Sequence, residues 1–387
     1  MPGAARAGLV CAVLGALVLA GCSTTTNSAV TVSGGTLEVY LSQPPGGVGG
    51  QTAADVLDAE RLALPAAGVK VGTYTVKPIV VHGGVISDNA RTAIQDTKAI
   101  AYIGEIEPGT SQVSVEINNE LGLLEVSPTD TAVYVTQPTP AVSGAPGTYY
   151  PSNSSYHQTF ARVVPTTAKE AKAIIAEMSA LHLSKVDVLS DGQPYGASIA
   201  AEIKQDASGG GVSAVSDASA ADAVFYGGND PGAATKALDT AAAANPSAKL
   251  FAPSALYSDT FVAGLSSTAQ KNLYVSSPGF APSDLPAAAR QFETSFRSAY
   301  GHDPVPEAIF GYAATSALLA VLKNAGKLAG NRAAIVTGFR SFHSTEPPPS
   351  GLPSVLGTYS INGGDTNLDQ FVFARAQSGR LVPLSQG

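Results

Sequence analysis

The sequence predicts an α/β protein of two lobes with more than one chain crossing between them. Three observations carry this expectation. From Thr36 onward, short apolar runs alternate with stretches of helical periodicity in the order βαβαβαβ, the rhythm of a parallel sheet covered on both faces. The rhythm restarts at Phe160, after the Pro/Gly/Ser/Tyr-rich residues 133–158, and a structureless connection of that length is uncommon inside one compact unit. Breaker stretches at 133–158, 276–286 and 343–353 separate the two halves at three places. Several crossings of this kind make a hinge, and hinge closure around a ligand is a known device.

The totals set the bounds. The 387 residues are 44% hydrophobic and 13% charged, with a net charge of -8, a globular composition with room for two or three domains. No basic cluster stands out, which argues against nucleic acid as a partner. Both cysteines, Cys11 and Cys22, precede the folded body, so that body has neither a disulfide nor thiol chemistry.

The N-terminus speaks to location. Residues 7–20 form an almost unbroken apolar run behind Arg6, followed by LAGC at 19–22. The run is too short for a spanning helix, which needs roughly 20 apolar residues, and fits the apolar region of a signal peptide. LAGC resembles the bacterial lipobox, in which cleavage precedes the cysteine and Cys22 is acylated. The bland alternative is an ordinary cleaved signal with an incidental cysteine. On the first reading residues 1–21 are a lipoprotein signal peptide and 22–35 a flexible tether.

The body follows in order. TLEVYL at 36–41 is the first strand, and a helix over 52–64 ends at Pro65. The intervening SQPPGGVGGQ either presents free N–H groups to an anion or is a loop needing close backbone approach. It lacks the Lys-Ser/Thr of a phosphate loop. A strand at 74–82 precedes a helix capped by Ser87 or Asp88 that runs to about Lys98.

Residues 102–132 organise the first half. A strand ends at Gly104, and a polar loop at 105–111 opens a helix. In that helix Val113, Ile117 and Leu121 recur at i, i+4, i+8 as the expected buried face. Gly122 stops it, a strand covers 123–126, and SPTDT at 127–131 is a second polar loop. Both loops leave the carboxyl ends of neighbouring parallel strands, where open α/β sheets bind ligands. They either grip a small polar molecule or, in the case of SPTDT, form only a turn with hydroxyls bonding their own backbone. Tyr149, Tyr150 and Tyr156 either line a cleft or pack the long connection down.

The second half places strands at 160–164, 185–190, 223–226, 249–252 and 273–276. Polar loops at 191–196, 227–232 and 253–257 follow three of them. Helices at 285–300, 306–325 and 332–342 come next, then strands at 355–360 and 370–376.

These residues match a known family. YIGEIEPGTSQ with LLEVSPTDTA, FARVVPTTAKEA, VDVLSDGQPYGASIA, AVFYGGNDPGA, LFAPSALYSDTF and the closing VLGTYSINGGDTNLDQFVFA resemble, in order and spacing, the type I periplasmic solute-binding proteins. The likeness is to their leucine/isoleucine/valine-binding branch, which serves ABC transporters. The resemblance implies two Rossmann-like lobes joined by three crossover segments, near 162–165, 277–284 and 342–353. One lobe is then 36–163 plus 283–341, the other 164–282 plus 342–387.

It also implies a lipid-anchored, monomeric receptor in the bacterial cell envelope, at the outer face of the cytoplasmic membrane or in the periplasm. Such a receptor captures an amino acid, amide or similar solute and hands it to a membrane permease. The alternative is a sensing module that signals to a membrane partner. By the resemblance the ligand contacts are Glu107, Thr110, Ser111, Ser127, Thr129, Thr131, Tyr195, Asn229 and Ser254.

Three departures stand out. Asn229 replaces an aromatic residue, Pro108 a serine, and Ser254 the glutamate that holds a ligand ammonium. Either Glu107, Asp130 or Asp230 takes that charge, or the ligand is not an α-amino acid. Asp230 before Pro231 also reads as a helix cap. No metal or cofactor is expected. An enzyme is not expected either, because no nucleophile-plus-base constellation and no zinc-protease or serine-hydrolase motif is present.

Overall fold

The computed structural model describes residues 30–45, 50–65, 67–150, 158–281, 283–344, 352 and 354–384. The signal peptide, Cys22, Gly46 and Gly47 of the glycine-rich loop, Tyr156 and most of the 343–353 breaker lie outside the described residues.

The first lobe opens with β1 (Thr36–Ser42), α1 (Gly50–Ala63) and an antiparallel hairpin of β2 (Val69–Val71) and β3 (Tyr74–Val81). It continues through α2 (Ile86–Gln95), β4 (Ala99–Ile103), α3 (Ser111–Glu120), β5 (Leu124–Ser127) and β6 (Phe160–Arg162). The sheet order is β2-β3-β1-β4-β5-β6, parallel from β3 to β6. Every residue of β4 and β5 is buried, as central strands covered on both faces require.

The second lobe comprises α4 (Thr167–Ala180), β7 (Lys185–Ser190), α5 (Pro194–Gly209), β8 (Ser213–Val215), β9 (Ala223–Gly227) and α6 (Pro231–Ala244). β10 (Lys249–Ala252), α7 (Asp259–Gly264), α8 (Ser267–Asn272) and β11 (Leu273–Pro278) follow. The chain then returns to the first lobe with α9 (Ala287–Tyr300), α10 (Ala308–Ala325), α11 (Arg332–Arg340) and the small ribbon β12 (Ile361–Asn362) and β13 (Asp365–Thr366). Finally β14 (Phe371–Gln377) and β15 (Arg380–Pro383) complete the second sheet, β15-β14-β11-β10-β9-β7-β8, with both added antiparallel at its edge.

The largest core surrounds α10, which is buried at every position from Ala308 to Leu322. A helix apolar on all sides belongs in an interior. Ala308–Leu328 is long and apolar enough to cross a membrane, but 83% of its most apolar 18-residue stretch lies inside this fold. α1 crosses it closely at Gly311, where an added Cβ would stand 2.4 Å from the Val56 carbonyl oxygen.

Several expectations need correction. Val113 and Leu121 are exposed, and α3 buries Ser111, Ser114, Val115, Asn118 and Asn119 instead. The reason is Glu125 on β5: its carboxylate accepts from the Ser114 hydroxyl at 2.8 Å and the Asn118 amide at 2.6 Å. A buried carboxyl requires such donors, so a polar helix face turns inward. α2 has Val85 at its N-cap position, with no side-chain cap from Ser87 or Asp88. No strand covers 355–360.

The described end of the tether is docked. Val32 is buried and donates its N–H to the Gly330 carbonyl at 2.7 Å. Val355, Leu356, Tyr359, Ile361 and Leu368 pack in the first core, so the third crossing follows Leu368 and does not fall at 342–353. Arg162, fully buried, fixes that segment through an ion pair with Asp365 at 3.0 Å.

Candidate functional site: the cleft between the lobes

A cavity of 530 Å³ lies between the lobes. Four of its walls are loops leaving the carboxyl ends of parallel strands: Ile106 to Pro108 after β4, Thr129 after β5, Asn229 after β9, and Ser254 with Tyr257 after β10. Glu307, just before α10, and Thr52 on α1 close it from the first lobe. A second cavity of 460 Å³ adjoins, sharing Gly50, Thr52, Tyr257, Ser258 and Thr260. The lobes touch across the cleft: the Asn229 amide donates to the Pro108 carbonyl at 3.0 Å. Gly109 packs on Tyr195, so that an added Cβ would meet Tyr195 Cβ at 3.0 Å. Gly109 also has φ +85°, a region L side chains disfavour.

Of the nine residues expected at the site, Glu107, Thr129, Asn229 and Ser254 line this cavity. The Thr129 hydroxyl turns back to the Ile106 carbonyl. Thr110, Ser111 and Ser127 serve the loops themselves. Thr110 donates its hydroxyl to the Glu107 carbonyl, and Ser127 to the Glu105 carbonyl at 2.6 Å. Asp130 is the hub: its carboxylate accepts the N–H groups of Gly109 at 2.7 Å, Ser111 at 2.8 Å and Ala132 at 2.9 Å. Its carbonyl accepts from Arg162 at 2.7 Å. Of the three carboxylates weighed as ammonium partners, Asp130 is therefore committed to backbone. Asp230 caps α6 through the Ala233 N–H at 2.6 Å. The Glu107 carboxylate accepts no hydrogen bond from any described residue.

Thr131 and Tyr195 sit behind the cavity wall, both buried, and their hydroxyls approach each other without a well-formed hydrogen bond among the described residues. They neighbour each other and Ser254, whose hydroxyl is also unpartnered. Glu170 on α4 stands beside them. Its Oε1 accepts from the Ser254 N–H at 2.6 Å and the Ser276 hydroxyl at 2.7 Å, while Oε2 has no partner. Burial, and then the Glu170 charge, push the Tyr195 hydroxyl well above the usual tyrosine range. Tyr149 and Tyr150 pack the long connection against the second core, with hydroxyls on Gln112 and the Val135 carbonyl.

Glu307 is the residue that sequence reading missed. It is 4% exposed; Oε1 accepts from Ser277 at 2.6 Å and Oε2 has no partner. Burial raises its carboxyl to about 7, against the opposing Ser277 hydrogen bond. Burial, helped by Asp130, likewise raises Glu107 to about 7.

The arrangement can enclose a small polar molecule. It offers carboxylate and hydroxyl acceptors, an aromatic ring and several apolar walls. No group of three or more metal-ligating side chains occurs among the described residues.

The periplasmic binding protein family matches residues 44–365. A search of curated protein sequences finds no match. Among solved structures, an ABC transporter substrate-binding protein from Desulfitobacterium hafniense in complex with Leu superposes with a TM-score of 0.69 at 18% identity. That match covers 90% of this chain and 100% of the other. A leucine-binding protein from Thermotoga maritima gives 0.69 at 18%, covering 91% and 98%. An ABC transporter solute-binding protein from Rhodopseudomonas palustris in complex with benzoate gives 0.65 at 20%, covering 91% and 96%. These likenesses show a shared two-lobed fold.

Proposed function

Because the chain belongs to the periplasmic binding protein family, we propose that it is the lipid-anchored, extracytoplasmic solute-binding component of an ABC importer. It captures a small polar solute between its lobes, as a monomer and without chemical change, and presents it to a membrane permease. Cys22 carries the acyl anchor, and the docked segment from Val30 onward begins the folded body.

The observation that carries this reading is the 530 Å³ cleft, walled by strand-end loops of both lobes that also touch each other across it. Closure on a solute excludes water and strengthens each hydrogen bond made inside. The test is native mass spectrometry of the protein purified from its own host. A stoichiometric small-molecule mass excess, lost on unfolding and refolding, is expected. A protein with no excess mass that also binds nothing in a broad solute screen contradicts the proposal.

A further inference from the structure

Resting on the solute-binding reading, we propose that the cleft takes a small organic cation, an amine or guanidinium, held by the carboxylates of Glu107 and Glu307. Four observations point there.

First, the described walls of the two joined cavities carry five carboxyl groups and no Lys, Arg or His. Asp303 pairs with Arg297, Glu293 lies near Arg297 and Arg290, and Asp259 accepts the Leu381 N–H, which leaves Glu107 and Glu307 without a counter-charge.

Second, the acceptors are open. Glu307 is almost fully buried with Oε2 unpartnered, and Glu107 lacks a hydrogen-bond donor among the described residues. A buried and a half-buried carboxylate without a counter-charge are unfavourable. The groups nearest them do not supply one: Glu307 faces Glu170 and Asp55, and Glu107 faces Asp130. His302 lies 3.7 Å beyond Asp55.

Third, part of the backbone donor set that could hold an anion is already occupied by carboxylates. Asp130 accepts the N–H groups of Gly109 and Ser111, Glu170 accepts that of Ser254, and α6 begins at Pro231, which has no N–H, with Asp230 on Ala233.

Fourth, Tyr257 lines both cavities, and an aromatic face beside carboxylates attracts organic cations. A bare metal ion is not the occupant, because the carboxyls do not converge as a ligand set among the described residues.

The test is calorimetric titration and thermal shift at pH 8 with a size-matched panel. Putrescine, agmatine and lysine represent cations, leucine a zwitterion, and benzoate and succinate anions. At least one cation binds and raises the melting temperature, while leucine, benzoate and succinate do not. Glu307→Gln and Glu107→Gln each weaken that cation at least about tenfold. Its affinity falls as pH is lowered through about 7, where both carboxyls take up protons.

Binding of leucine, benzoate or succinate without any cation overturns the proposal and leaves the solute-binding reading standing. Cation binding that both Gln variants leave intact overturns the assignment to these two carboxylates. Silence across the panel, together with no co-purified molecule, removes both readings.

Discussion

The two sides of the cleft use similar side chains to opposite ends. On the first lobe, most polar groups of the loops after β4 and β5 turn on each other: Ser127 to Glu105, Thr129 to Ile106, Thr110 to Glu107, and Asp130 to three backbone N–H groups. The Thr131 hydroxyl and the Glu107 carboxylate are the exceptions. On the second lobe, Tyr195 and Ser254 keep unpartnered hydroxyls, and Glu170 an unpartnered oxygen. Glu307, entering from the start of α10, does the same. A hydroxyl-rich loop at a strand end is therefore not by itself a ligand grip. Capacity to bind rests with the polar atoms that the fold leaves open, Glu107 and Glu307 on the first lobe among them, and the closed network beside them supplies a rigid wall.

The contrast can be broken first at its hub. Asp130→Ala strands three buried N–H donors, each worth about 1–3 kcal/mol, and is expected to lower stability by about 3 kcal/mol or more. Urea unfolding reads this, and a loss under about 1 kcal/mol would mean that the first-lobe loops are not locked through this carboxylate.

Acid–base behaviour sharpens the other side. Glu105, Glu107 and Glu307 are each raised by burial from 4.5 to about 7. Groups raised in the folded state add stability below the unfolded value and lose it as pH rises through the folded one. These three groups should thus make stability decline from about pH 4.5 to about pH 7. Glu307→Gln should flatten this slope, by an effect on the order of 3 kcal/mol across the window. An unchanged pH profile in that variant would remove Glu307 from the account.

Smaller effects test the contact between the sides. Gly109→Ala forces a side chain into positive φ and against Tyr195, and should lose about 1–3 kcal/mol while loosening closure. Tyr195→Phe removes a hydroxyl that has no partner. Without solute it should change stability by less than about 0.5 kcal/mol. A large loss would show that the hydroxyl is bonded after all.

Much of the fold was legible because its signals are local. Period-2 runs such as TLEVYL and helix starts such as DGQPYG and NDPGA marked elements that the structure contains. The α3 face was misread because Val113, Ile117 and Leu121 form a clean stripe, while the partner that decides burial, Glu125, lies on another element. The late crossing after Leu368 was hidden for a related reason: the ion pair that anchors it joins Arg162 to Asp365, far apart in the chain. The site was half legible. Strand-end position marked the loops, and the family resemblance named Glu107, Thr129, Asn229 and Ser254, which line the cleft. Nothing local marked Glu307, because an acid before a helix reads as a favourable charge at its positive end. Its place beside the cavity depends on its meeting Ser277, 30 residues away in the chain.

Small-angle scattering with and without a bound cation from the panel tests the central claim most directly. The account predicts a smaller radius of gyration on binding, abolished at the same solute concentration by the double variant Glu107→Gln/Glu307→Gln. A radius that does not change when a tight-binding solute saturates the protein would contradict a cleft that closes on its guest.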